Sequence, residues 1–223
     1  MNVVYFLIAG VIGYLAGAVP FGYLYVRAKK GINLTEFGSG RTGGTNSLRA
    51  AGVSVGVLTG LSDVFKGFAG IWIARWLLNG VMSESLLPWA LIVCGIFSVI
   101  GHNWSIFLKW KGGAGTGPNV GWATAIWWPM FPIGFFTMIA MLIGLGMASV
   151  ASMTMAAIIP ISFAVLYFAG IGEYDGTLAY IIGGVATAAI VVWALRPNIK
   201  RLINGTERIV GPRAKRLQAR QQK

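Results

Sequence analysis

VGWATAIWWPMFPIGFFTMIAMLIGLGMASVASMTMAAIIPISFAVLYFAG, residues 120–170, is the stretch on which the fold turns. It is almost uninterrupted apolar sequence, punctuated by Pro129, Pro132, Gly144, Gly146 and Pro160. Reading it as two helices puts the acidic Glu173–Asp175 loop on the inner side of a membrane and the basic C-terminal segment outside. That runs against the preference of Lys and Arg for the cytoplasmic face. Three crossings of roughly 17 residues each, at the short end of what spans a bilayer, restore the rule. Breaks near Pro132 and Ser149 would produce them. The sequence therefore predicts an all-α, polytopic transmembrane protein of about seven spans, its N-terminus outside and its C-terminus cytoplasmic.

Working outward, the rest of the chain has the same character. Of 223 residues, 56% are hydrophobic and 11% charged, against about 25% charged in a soluble domain. The mean hydropathy is +0.71. A first span is expected over Val3 to Val26, retained rather than cleaved as a signal peptide, with Arg27, Lys29 and Lys30 marking the inside. Further spans are expected over Val53 to Leu78, Pro88 to Leu108 and Thr177 to Leu195. Gly13 and Gly17, and Gly52, Gly56 and Gly60, recur every fourth residue, a spacing suited to close helix contact. Asp63 and Lys66 share a helical face inside an apolar run, where ionisable groups are expensive and face a polar interior.

The net charge of +12 is not spread over a soluble face, because nine of the eighteen Lys and Arg follow Leu195. That distribution indicates membrane lipids as partners and not nucleic acid. Residues 1–207 read as one transmembrane domain and 208–223 as a polybasic cytoplasmic tail. Cys94 is a lone packing residue, and the single histidine and six acids form no cluster with metal-ligand spacing. No metal or cofactor is expected. The oligomeric state is left open.

Two polar stretches interrupt this apolar chain. The first, GSGRTGGTNSLR (38–49), packs Gly38, Gly40, Gly43 and Gly44 among hydroxyl, amide and guanidinium groups. Glycines let backbone N–H groups converge on an anion, and arginine forks match phosphate. The stretch fits GxGxxG but lacks the βαβ unit that pattern needs, and it lacks the lysine of a Walker A loop. The second stretch, GHNW (101–104) followed by KWKGGAGTGPN (109–119), is again basic and glycine-rich. Both read as phosphate-binding loops at a membrane surface; the plain alternative is a pair of flexible connectors.

Several separated stretches resemble the PlsY family, the integral-membrane acyl-phosphate:glycerol-3-phosphate acyltransferases. SGRTGGTNSLR is similar to the family's SGNPGATNxxR at Ser39, Gly40, Gly43, Thr45, Asn46 and Arg49. Asp63, Lys66 and Gly67 resemble its LDxxKG element. GHNWSIFLKWKGGAG is similar to GHxxPxFLKFKGGKG at Gly101, His102, Lys109, Lys111, Gly112 and Gly113, and Ser149 and Ser152 resemble its serine pair. NIKRLINGTE resembles its closing NIxRLxxGTE, with Asn198 and Glu207 in place. The chain departs at Ala114, where the family has lysine, at Leu195, where it has histidine, and at Arg41-Thr42, where it has Asn-Pro.

The resemblance implies a seven-helix enzyme of the cell membrane with its site at the cytoplasmic surface. It would transfer a fatty acyl group from acyl phosphate to glycerol 3-phosphate, giving lysophosphatidic acid. On that basis Arg49, Lys109 and Lys111, with the Gly43–Gly44 amides, are expected to hold phosphate groups, while Ser39, Thr45 and Asn46 orient them. His102, Ser39 and Lys111 are the candidate catalytic residues. Gly112, Gly113, Ser149, Ser152, Asn198 and Glu207 complete the binding set, supported by Asp63, Lys66 and Arg41. A different reading, favoured by Ala114 and Leu195, is an impaired relative that binds or transports a phosphorylated lipid precursor.

Overall fold

The computed structural model describes residues 2–171, 177–211 and 213–214. The chain runs through α1 (Asn2–Ala18), α2 (Phe21–Lys30), α3 (Gly44–Ala51), α4 (Val53–Leu78) and α5 (Leu87–Asn103). It continues through α6 (Thr116–Ile126), α7 (Met130–Gly144), α8 (Ala148–Ala169), α9 (Thr177–Ala194) and α10 (Arg196–Ile203). Short 3-10 turns lie at Leu34–Glu36 and Ile106–Leu108. The boundaries have local causes. Pro20 has no N–H to continue the α1 ladder, so the helix stops and restarts at Phe21. Gly31, at φ +70°, closes α2 by donating its amide to the Arg27 carbonyl at 2.9 Å.

Small residues decide which helices meet. A Cβ built on Gly13 or Gly17 would run into the carbonyls of Cys94 and Ser98, so α1 and α5 touch at backbone distance. Gly67 against Pro118 and Gly121 against Val64 join α4 to α6 in the same way. Trp122 of α6 is fully buried and stacks on Phe163 of α8, with ring centroids 5.8 Å apart. In lipid, where apolar transfer gives helices little reason to associate, such packing holds the bundle together.

The expectation of about seven spans is overturned by helix length. Among the described residues, three segments are long and apolar enough to cross a membrane: α1 with α2 over Asn2–Lys30 (29 residues), α4 (26) and α8 (22). The pair α9 and α10, bent by 63°, makes a fourth at most. At about 1.5 Å per residue, the 15-residue α7 and 11-residue α6 reach about 22 and 16 Å, short of a hydrocarbon core about 30 Å thick. The 17-residue α5 also falls below that length. The 120–170 stretch does break, at Trp127–Pro129 and at Leu145–Met147. Its pieces, however, include the short α6, which is buried inside the bundle, and the short α7, which lies on its outside with only Met130 and Gly134 buried. The odd number of crossings that set the termini on opposite faces goes with the seven-span reading. Glu173–Asp175, and the 208–223 segment apart from 208–211, 213 and 214, lie outside the described residues.

Candidate active site

The loop from Gly38 to Gly43 is built around one amide. Asn46, only 3% exposed, accepts the Ser39 N–H at 3.1 Å and donates to the carbonyls of Phe37 at 2.9 Å and Arg41 at 2.8 Å. Its side chain is committed to holding the loop rather than to a ligand. Gly38 and Gly40 adopt φ of +59° and +71°, which the tight path between these bonds requires. The Thr42 amide donates to the Gly112 carbonyl at 3.3 Å, tying the two glycine-rich stretches together. Gly43 then caps α3, whose first amides, at Gly44 and Thr45, have no carbonyl one turn earlier to bond.

These amides border a cavity of about 590 Å³. One end is polar, lined by Ser39, Arg41, Thr45 and Arg49 from this loop and α3, by Ser149 and Ser152 of α8, and by Asn198 of α10. Much of the rest of the lining is apolar, from Val57, Leu61 and Val64 of α4 and from Phe131, Phe135, Met138 and Leu142 of α7. This wall is open along one edge, with Val57 53% and Phe135 48% exposed. Gly60 lies on it with no atom within 4 Å of where a Cβ would stand, whereas Gly56 is pressed against Leu48 of α3. The regular glycine spacing on α4 therefore does two jobs, one of contact and one of space.

Glu207, beyond α10, ties the polar end together. Its side chain is 4% exposed. The carboxylate accepts Ser149 Oγ at 2.8 Å, Asn198 Nδ2 at 2.7 Å and Arg201 Nε at 3.0 Å. Burial alone would raise its pKa, but the hydrogen bonds from Asn198, Ser149 and Arg201, with the Arg201 charge, hold it below the ordinary glutamate value. The chain does not leave the site at residue 207. Arg208, Ile209 and Val210 continue along the cavity, and the Val210 amide donates to Gly146 at 2.7 Å.

Arg41 reaches across to α9, its Nη2 donating to the Ala194 carbonyl at 2.7 Å. Burial, then the nearby Arg201 charge, lowers its pKa; burial, then Arg208, does the same to Arg49. His102 is 5% exposed and lines the cavity beside Asp63. Asp63 Oδ1 pairs with Lys66 Nζ at 2.9 Å and lies 3.6 Å from His102 Nδ1, just beyond hydrogen-bonding reach. Lys66 also donates to Val19 at 2.8 Å, occupying a carbonyl beside the α1–α2 break. Gly113 has to be glycine here, because a Cβ would strike the imidazole of His102.

Lys109 and Lys111 do not join this set. Both are exposed and neither lines the cavity. Lys109 and Trp110 take left-handed φ of 53° and 63°, and the turn closes through Ser105 N–H to Lys111 O at 3.3 Å. Gly112 packs beneath this turn against the carbonyls of His102 and Asn103, again off the cavity. Ala114 does line it, as do Leu195 and Arg208. The α7 face was not anticipated, although Phe131, Phe135, Met138 and Leu142 are spaced as one side of a helix and could have been read as such.

Fold and cavity together define an integral-membrane protein with a cationic pocket opening onto an apolar groove. Residues 7–205 match the family model of glycerol-3-phosphate acyltransferases. The chain is 34% identical to the glycerol-3-phosphate acyltransferase of Gloeobacter violaceus, covering 89% of this chain and 91% of that one. It is 36% identical to that of Prochlorococcus marinus MIT 9211, covering 92% and 94%. A crystal structure of PlsY (YgiH), an integral-membrane glycerol 3-phosphate acyltransferase in its glycerol 3-phosphate form, superposes with a TM-score of 0.76 at 30% identity, covering 92% of this chain and 96% of that one. The lysophosphatidic acid form superposes with 0.74 at 28%, covering 92% and 95%. This chain belongs to the glycerol-3-phosphate acyltransferase family.

Proposed function

We propose that this chain moves a fatty acyl group from an acyl phosphate to glycerol 3-phosphate within the 590 Å³ cavity, yielding lysophosphatidic acid and inorganic phosphate. The observation that carries the reading is the cavity's division into a cationic, amide-rich end and an apolar groove, on the fold of this family. Phosphate groups bind at Arg49, the Gly44 and Thr45 amides at the start of α3, and the hydroxyls of Ser39 and Thr45. The acyl chain lies between α4 and α7, along Leu61, Val64, Phe131 and Phe135.

An acyl phosphate is a mixed anhydride and needs no protein nucleophile. The glycerol hydroxyl oxygen forms a bond to the acyl carbon, the acyl–phosphate C–O bond breaks, and the departing phosphate takes the hydroxyl proton. The protein contributes positioning and charge stabilisation. His102, held by Gly113 and facing Asp63, orients the substrate beside the two loops. Ser149, Ser152, Asn198 and Glu207 shape the opposite wall. The site faces the cytoplasm, a placement supported by the basic residues around it: Arg41, Arg49, Arg201 and Arg208.

Purified protein supplied with acyl phosphate and glycerol 3-phosphate should form lysophosphatidic acid and phosphate in equal amounts. The apolar Ala114 and Leu195 on the cavity wall favour one rival, a binding or transport protein for a phosphorylated precursor. Saturable glycerol 3-phosphate binding with no lysophosphatidic acid formed would establish that rival.

A further inference from the structure

The basic residues expected to serve the second loop, Lys109 and Lys111, sit on an exposed turn outside the cavity. The cavity wall at Ala114 and Leu195 carries no charge. Among the described residues, the cations that line it are Arg41, Arg49 and Arg208, and Arg41 has an unusual position. Arg41 projects from the first loop and is anchored by a single bond, Nη2 to the Ala194 carbonyl at 2.7 Å. That carbonyl belongs to the C-terminal end of α9, where the helix dipole is negative and attracts a guanidinium. A guanidinium carries five N–H donors. One is engaged by protein among the described residues, so the fork has donors to spare while lining the cavity.

The charges around it are also unbalanced. Arg41 lies within the fields of Arg201 and Arg208, and Arg49 within that of Arg208. Of the two carboxylates that line the cavity among the described residues, Asp63 is paired with Lys66, and Glu207 already accepts from Ser149, Asn198 and Arg201. Gathering like charges in a partly desolvated cleft is costly unless a ligand brings negative charge.

We propose that Arg41 binds a substrate phosphate directly, as a guanidinium of the cavity lining in addition to Arg49, filling the role that the uncharged Ala114 and Leu195 leave open. The inference rests on the acyltransferase reading above. The ligand chemistry is a phosphate monoanion or dianion bearing an organic ester or acyl group. Glycerol 3-phosphate and acyl phosphate both supply it, and kinetics separate them.

Initial rates should be measured for wild type, Arg41→Gln and Arg41→Lys against each substrate in turn, with size-exclusion profiles to establish folding. Arg41→Gln should raise KM for one of the two substrates by roughly ten- to a hundredfold, the size of a lost charge-assisted hydrogen bond. The substrate affected identifies the phosphate held. Arg41→Lys keeps a charge and one donor for Ala194 but loses the fork, so a severalfold rise is expected there. Ala114→Lys, placing an ammonium on the same cavity, should recover part of the Arg41→Gln loss. Unchanged KM for both substrates in folded Arg41→Gln would reduce Arg41 to a loop anchor. If Arg41→Gln does not fold, wild-type KM values in Arg41→Lys overturn the proposal instead. A wild type without acyltransferase activity would sink the broader reading alone. Calorimetry with glycerol 3-phosphate would then decide on Arg41: weaker binding in Arg41→Gln upholds it, and equal binding refutes it.

Discussion

Asn46 shows how a side chain of a ligand-binding motif can act without touching a ligand. Its amide is spent on Ser39, Phe37 and Arg41, and removing it leaves the Ser39 N–H and the Arg41 carbonyl of a half-buried loop without partners, while the Phe37 carbonyl keeps only the Gly40 amide. Asn46→Ala should therefore lower stability by about 1–3 kcal/mol as well as activity, because unsatisfied polar groups carry their desolvation cost. Thermal melting beside the turnover assay checks it; full activity at unchanged melting temperature would mean that the loop holds its shape by other means. The first loop was legible in the sequence because its chemistry is local: glycines for positive φ, hydroxyls and arginine for anions. The role of Asn46 was not, since its partners are backbone atoms that any residues would offer. Nor was the outward placement of Lys109 and Lys111, which follows from left-handed φ at two residues whose types rarely adopt it.

At the scale of elements, the segment after α10 works as a strap. Glu207 clips it to α8 and α10, and Val210 pairs with Gly146 in the α7–α8 turn. Because the folded-state pKa of Glu207 is depressed, its contribution is present above the pKa of an unfolded glutamate, about 4.3. It is lost as pH falls through the lower folded value. Hydrogen exchange at the Val210 amide should therefore stay slow near neutrality and lose protection below about pH 4. Glu207→Gln should weaken that protection near neutrality and abolish the acid transition. A Val210 amide equally protected in both proteins across the range would show that the clip does not hold the strap. Helices were easier to foresee than their ends. Apolar length is legible, but a Pro-Gly-punctuated apolar run reads alike whether its pieces cross lipid or pack inside protein. The burial of Trp122 and Ala123 on the short α6 supplies the distinction.

Among the described residues, long helices supply a frame of three or four segments able to cross a bilayer, and long α4 and α8 share the lining of the site with short α3, α7 and α10. The glycine-mediated contacts of α1 with α5 and α4 with α6 set the spacing on which the cavity depends. On the proposed reading the cavity's two ends also face different media. Its arginines would meet a water-soluble substrate, while its apolar edge, at Val57 and Phe135, is exposed on the surface of the bundle. An acyl donor reaching the site through that edge arrives by lateral diffusion in two dimensions, and its effective concentration is its share of the lipid rather than its molarity. In mixed micelles or vesicles, half-saturation for acyl phosphate should follow its mole fraction in the amphiphile phase, so diluting it with inert lipid at fixed total amount should slow the reaction. The half-saturating concentration of glycerol 3-phosphate should be indifferent to that dilution. Rates tracking the bulk concentration of acyl phosphate would instead mean that the donor enters from water.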